Sequence, residues 1–524
     1  MKFKLGLFEN PYTDEESYKG VVRCDIHRNI SLQVARESIV LLQNKNQLLP
    51  LTDYKRIALL GPSSGVQRIG SYSSVPYGYR VPNVYEEMKR LAGGKLEIEQ
   101  YDGCGISDRD IDIIPESWYE DGVEVQFFNN GQFEGDPLDC CRMKCINFNW
   151  MLAKPHKDLE FNGYSVRMKG ELYVDTHSFT ERDSIRGRLI FSTKDSVRVW
   201  VDGVCVIDSF QDGKQDLPQC EFTFIHGAKH NVEVEYVCDA GGWDVTLGID
   251  FHNDSIEEAL EVAKRNDVII LVCGDDKVTS GEGMDRCELK LYGMQRELVR
   301  RVAEIGKPVV LVLETGKPVD LQEESEMVDA ILEAWFGGEL GATAIAEVLL
   351  GMVNPSGRLP ISFPRSVGHL PCYYSRQPGG YPAYLEGTLD ALYPFGYGLG
   401  YTEFEYRDLR VNKTEGGPCA YRASVIVQNT GKRAGADVVQ LYINDVTCSV
   451  IRPDKLLQGF QRVELEPGEE NVVYFNLDFE SFRLYNLKRE WVVETGEFEI
   501  MIGYNSRDIV LRERICIPEN VYGE

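Results

Sequence analysis

The chain has 524 residues, enough for about three or four domains at roughly 150 residues each. Hydrophobic residues make up 43% and charged residues 27%, which excludes a disordered or collagen-like chain. Lys and Arg total 56 against 83 Asp and Glu. The resulting net charge of −27 repels nucleic acid and anionic membranes and suits a neutral ligand such as a sugar.

No apolar stretch approaches the ~18–20 residues that cross a bilayer. The opening segment, Met1 to Tyr12, carries two lysines without an apolar core behind them, so it does not read as a signal peptide. The 14 cysteines are scattered. Cys140, Cys141 and Cys145 lie closest together, but no Cys/His pair nearby completes a zinc set. Free thiols, a reducing compartment, a cytoplasmic location and no metal or cofactor are the expectation.

The first ~20 residues show little periodicity and read as a linker that docks onto something else. From His27 the apolar spacing is helical through Ile30, Val34, Ala35, Ile39, Leu41 and Leu42, and breaks at Asn44 and Asn46. A strand, Arg56 to Leu60, ends at Gly61-Pro62. A turn-rich loop from Ser63 to Tyr79 follows, then a helix near Val84 to Leu91. This order suggests a parallel α/β unit, in which active residues sit in loops at the C-terminal ends of strands.

From about Ile114 to Phe251 helical spacing gives way to short alternating segments. The clearest is Val197 to Val201, then Asp202-Gly203, then Val204 to Ile207, a hairpin whose turn needs positive φ. At Ser255 the α/β rhythm returns. Helices over Ile256 to Lys264 and Gln295 to Ala303 feed strands over Asp267 to Cys273 and Pro308 to Leu313. A strand from Ala330 to Trp335 and a helix from Ala342 to Leu350 follow. The β module therefore reads as an insertion into one α/β domain. After Tyr401, short strands separated by turns such as Asn429-Thr430-Gly431 and Glu466-Pro467-Gly468 suggest an immunoglobulin- or fibronectin-like sandwich.

The segment Thr279-Ser280-Gly281-Glu282-Gly283-Met284-Asp285-Arg286 lies just past an apolar strand. Its glycines leave the Glu282 carboxylate unscreened, and Asp285 and Arg286 could anchor the loop by ion pairing. By composition alone, an ordinary solvated loop fits as well. Glu288 reads as a solvated charge. The turn Trp335 to Gly341 is glycine-rich but lacks the phosphate-loop pattern. Tyr72, Tyr77 and Tyr79 could stack on sugar faces or simply pack. Trp200 alternates with Val199 and Val201 and could face a ligand. Lys229-His230 reads as surface strand, and Trp243-Asp244 as structural.

With these segments in hand, the chain resembles the C-terminal portion of glycoside hydrolase family 3, the β-glucosidase and β-xylosidase-like enzymes. The resemblance rests on Leu5-Gly6-Leu7-Phe8-Glu9-Asn10-Pro11-Tyr12, Ala35 to Leu42, Gly70-Ser71-Tyr72-Ser73-Ser74, Gly281 to Arg286, Asn354 to Pro360 and Tyr393 to Thr402, in that order. The insert looks like the PA14 module that interrupts some members. Gly400 stands where the family more often has Ser.

The resemblance implies an α/β sandwich domain over 21–113 and 252–400, a PA14-like β insert over 114–251, a fibronectin III-like domain over 401–524, and 1–20 as a linker to a barrel. It implies retaining hydrolysis of β-linked sugars by two carboxylates about 5–5.5 Å apart. Glu282 would be the general acid/base, with Asp285 and Arg286 supporting its loop. The family's nucleophile comes from a (β/α)₈ barrel, for which these residues hold no counterpart. The expected partners are an oligosaccharide or aryl β-glycoside and a separate barrel chain. An unfilled apolar face where the barrel would pack favours association, a second copy of the chain included. The alternative is a non-catalytic carbohydrate-binding or scaffold protein, and a nucleotide-binding α/β protein is a third and weaker reading.

Overall fold

The computed structural model describes the chain except residues 13, 15, 74–80, 108–110, 151–154, 161–162, 179–182, 211–216, 240–243, 251–254, 378, 380–383, 386 and 524. Tyr77, Tyr79, Ser74 and Trp243 lie outside the described residues. The chain divides into two compact units, Met1–Ile106 with Ser255–Glu524, and Ser107–Asp254.

The first unit is built on a six-stranded sheet. Its strands are β1 (Val40–Asn44), β2 (Arg56–Leu60), β3 (Glu97–Tyr101), β4 (Val268–Gly274), β5 (Val309–Glu314) and β6 (Ala330–Glu333). They run in the order β1-β6-β5-β4-β2-β3, parallel except for β1. Alternate residues of each strand face opposite layers. Leu60, Ile269, Leu271, Cys273, Leu311 and Leu313 pack with Ala259, Leu298 and Val302 on one side. Ile57, Leu59, Ile270, Val272, Val310 and Val312 pack with Met88, Ala342 and Ile345 on the other. Sheets buried on both faces need continuous apolar strands, which is why these runs show no polar alternation.

The longer helices are α1 (Asp25–Ser38), α2 (Val84–Ala92), α3 (Ile256–Arg265), α4 (Gln295–Ala303) and α5 (Gly341–Leu349). Asn83 caps α2 by accepting from the Glu86 N–H, and Ser255 caps α3 in the same way through Glu258. One expectation is corrected here. Leu41 and Leu42 belong to β1, not to the preceding helix, because Ile39 leaves the helical region and the apolar run then pairs with β6. A short apolar run fits either period, and sheet pairing decides it.

Within the same unit, residues 404–517 form two facing antiparallel sheets around a core that includes Val425, Val439, Leu441, Ile500 and Ile502. Asn354, Arg358 and Arg433 tie this sandwich to the α/β layer. The Asn354 amide donates to the Ala434 carbonyl at 3.0 Å, and Arg358 and Arg433 pair with Asp437 and the Gly351 carbonyl.

The second unit is all antiparallel β. A six-stranded sheet (Val204–Asp208, Ser196–Val201, Lys229–Val237, Ser165–Tyr173, Tyr119–Phe128, Asp139–Met143 in spatial order) and a five-stranded one share a core around Trp118, Phe191, Val199 and Tyr236. The Val201–Val204 hairpin turns through Asp202 and Gly203 at φ of 50° and 79°. No helix among the described residues is long and apolar enough to cross a membrane.

Candidate active site

The C-terminal ends of β2, β4, β5 and β6 open into four loops that meet at one edge of the sheet. Glu282 sits on the loop after β4 and is exposed. Gly283 takes φ of 73°, a left-handed turn that favours glycine. Gly281 is glycine for a different reason: a Cβ there would stand 2.9 Å from the Ser71 hydroxyl. That close approach brings in the loop after β2, whose Tyr72 phenol donates a short hydrogen bond to Glu282 Oε2. The bonded carboxylate holds the Tyr72 hydroxyl above the usual phenol range.

Under the exposed carboxylate the loop is pinned by buried charge. Asp275, the first residue past β4, is 1% exposed. Lys317 Nζ donates to Asp275 Oδ2 at 2.8 Å and to the Thr279 carbonyl at 3.3 Å. Arg286 approaches Asp275 Oδ1 at 3.5 Å, donates to the Lys290 carbonyl at 2.6 Å, and stacks over Tyr292. Asp276 accepts from the backbone N–H groups of Val278 and Thr279 at 2.9 and 2.7 Å, closing the turn. Arg286 thus pairs with Asp275 rather than with its neighbour Asp285. Asp285 is exposed and has no hydrogen bond or ion pair among the described residues, because the buried, preformed Asp275 carboxylate takes the guanidinium instead.

Two further carboxyls lie beneath the site. Glu314 at the end of β5 accepts from the Gln67 amide at 2.7 Å, and burial pushes its carboxyl up to about 8 despite Arg68 nearby. Glu333 at the end of β6 accepts from the Thr315 hydroxyl at 3.1 Å and the Trp335 N–H at 2.9 Å, and burial again holds it well above the carboxylate range. Both are sealed from solvent beneath the loops. Trp335 has φ of 56°, and the turn after it is held by Glu339, which pairs with Arg23 at 2.8 Å and Arg28 at 3.3 Å. A carboxylate at that turn repels the phosphate a nucleotide would bring.

Asp275, Lys317, Glu314 and Glu333 were not legible as site residues from the sequence, although each stands at or just past a strand's C-terminal end, the position that should have flagged them. Glu288 is exposed. Lys229 pairs with Glu120 and Glu171, and His230 with Asp202, so that dipeptide is surface strand. Asp244 accepts from Asn149. Trp200 is half-buried and lines a cleft of about 580 Å³ with Glu120, Arg142, Lys169 and Glu233. A larger cleft of about 970 Å³, beside His369, Tyr374 and Arg507, contains none of the site residues.

Residues 39–401 match the glycosyl hydrolase family 3 C-terminal domain. The chain belongs to that family. Residues 437–506 match a fibronectin type III-like domain. Over 267 residues the family 3 chain is 43% identical to a periplasmic beta-glucosidase of Salmonella typhimurium, covering 48% of this chain and 34% of that protein. Over 580 residues it is 29% identical to beta-glucosidase B of Emericella nidulans, covering 99% and 66%. The structure of a beta-glucosidase from Kluyveromyces marxianus in complex with glucose superposes with a TM-score of 0.76 at 27% identity, covering 96% of this chain and 64% of that one. The family 3 chain thus spans between a third and two thirds of the length of these curated relatives.

Proposed function

We propose that this chain carries the general acid/base of a retaining β-glycosidase, with Glu282 in that role and a terminal β-linked glucose or xylose residue as substrate. The observation that carries the reading is the geometry of Glu282: an exposed carboxylate on a glycine-flanked loop whose base is locked by buried Asp275 and the half-buried Lys317 and Arg286. An acid/base must reach the glycosidic oxygen while its backbone stays fixed. Relatives named beta-glucosidases and a beta-xylosidase support the substrate class.

Glycoside hydrolysis with retention needs a second carboxylate as nucleophile. On this reading it comes from outside these 524 residues, from a (β/α)₈ barrel on the same or a separate polypeptide. Helix α1 supports this with an outward apolar row, Ile26, Ile30 and Val34, each more than half exposed. On the same reading the insert is PA14-like, the domains run 21–113 with 252–400, 114–251 and 401–524, and the chain works in the cytoplasm with free thiols.

The test is an aryl β-glycoside assay of the chain alone and mixed with a family 3 barrel polypeptide. The expected result is silence alone and turnover in the mixture. Silence in a mixture of two folded partners contradicts the proposal. The Trp200 cleft favours a second reading, a carbohydrate-binding protein, in which sugar binding measured by calorimetry survives Glu282→Gln and disappears with Trp200→Ala.

A further inference from the structure

The β insert holds a cluster that the glycosidase reading leaves unused. Asp175 and His177 lie on the connection that carries the chain from strand Ser165–Tyr173 of the six-stranded sheet to Ser184–Ser192 of the five-stranded one. His226 lies on the turn that crosses back, between Gln219–Ile225 and Lys229–Val237. Backbone hydrogen bonds already hold the two crossings together: the His226 N–H donates to the Asp183 carbonyl at 2.7 Å, and the Gly227 N–H to the Val174 carbonyl at 2.8 Å. One ligand atom from each of Asp175, His177 and His226 falls within 4.8 Å of the other two. The two imidazole rings stack with centroids 3.8 Å apart and planes 17° from parallel.

The hydrogen bonding around the cluster leaves one nitrogen of each ring facing it. His177 Nε2 lies 2.8 Å from Asp183 Oδ1. A proton shared there leaves Nδ1 as the nitrogen with a lone pair to give, the arrangement by which a carboxylate orients a metal-binding imidazole. His226 Nδ1 is shielded from solvent, makes no hydrogen bond, and stands 3.4 Å from Asp175 Oδ1. With its proton on Nε2, His226 turns the Nδ1 lone pair toward the Asp175 carboxylate, so the two present donor atoms to a shared cation.

We propose that Asp175, His177 and His226 form a binding site for a divalent transition metal of the zinc class, with Asp183 orienting the His177 ring. Two imidazole nitrogens and one carboxylate suit zinc, where calcium and magnesium take oxygen alone. Bound there, the ion ties together two connections that each cross between the sheets, so it staples one edge of the sandwich.

The full-length chain, stripped with a chelator and kept reduced, tests this by calorimetric titration with Zn²⁺ and by the absorption spectrum of its Co²⁺ form. The expected result is a Zn²⁺ site that raises the melting temperature of the insert and a Co²⁺ spectrum free of thiolate charge transfer. His177→Ala and His226→Gln should each weaken that binding at least about tenfold, and Asp183→Asn by about 10- to 100-fold. Circular dichroism of the metal-free variants checks that they fold. Absence of Zn²⁺ binding, binding that none of the folded variants weakens, or a thiolate band that persists in them overturns the proposal.

Discussion

Glu282 and Tyr72 come from loops 210 positions apart in sequence, yet their side chains share a hydrogen bond. A phenol that donates to a carboxylate has two effects. It fixes the carboxylate's orientation, and it resists its own ionisation while the carboxylate stays charged. Glu282→Gln should therefore lower the Tyr72 ionisation toward the ordinary phenol range. NMR titration of the ring-labelled chain reads this directly, and an unchanged Tyr72 titration contradicts the contact. In an assembly that turns over substrate, Tyr72→Phe should cost about 2- to 10-fold in kcat/KM, the worth of one ordinary hydrogen bond at ~0.5–1.5 kcal/mol. A loss as large as that of Glu282→Gln would contradict a merely orienting role for Tyr72.

The parallel strands β5 and β6 place the buried carboxyls of Glu314 and Glu333 at their C-terminal ends, and this gives the α/β layer a pH signature. Burial raises Glu314 to about 8, so in the folded chain it keeps a proton that the unfolded chain releases at ordinary carboxylate pH. Its contribution to stability is full below the unfolded value and is lost as pH rises through about 8. Glu333 acts in the same direction. Melting temperature should thus fall across this range, and Glu314→Gln should flatten the fall; an unchanged slope in the folded variant contradicts it. These strands were legible because continuous apolar runs announce a doubly buried sheet. Strand β3 escaped because Glu97-Ile98-Glu99-Gln100-Tyr101 is a half-exposed edge with too few apolar residues to read. The Glu282 loop was legible from its motif. Its anchors Asp275 and Lys317 were not, because their pairing depends on β4 and β5 lying side by side, which no local pattern reveals.

Across the whole chain, the family 3 α/β layer presents the exposed Glu282 carboxylate at the edge of its sheet. The proposal stands on that carboxylate being the proton donor to a departing sugar oxygen. General acid/base groups contribute about 10²–10⁴-fold, and most where the leaving group is a poor one that cannot depart unprotonated. The decisive measurement is kcat/KM of Glu282→Gln against wild type, in an assembly completed by the barrel, on a β-glycoside with an alkyl or sugar leaving group and on one with an activated aryl group. The account predicts a loss of about 10²–10⁴-fold on the first and a much smaller loss on the second. Equal losses on both substrates, or none on either, would contradict it.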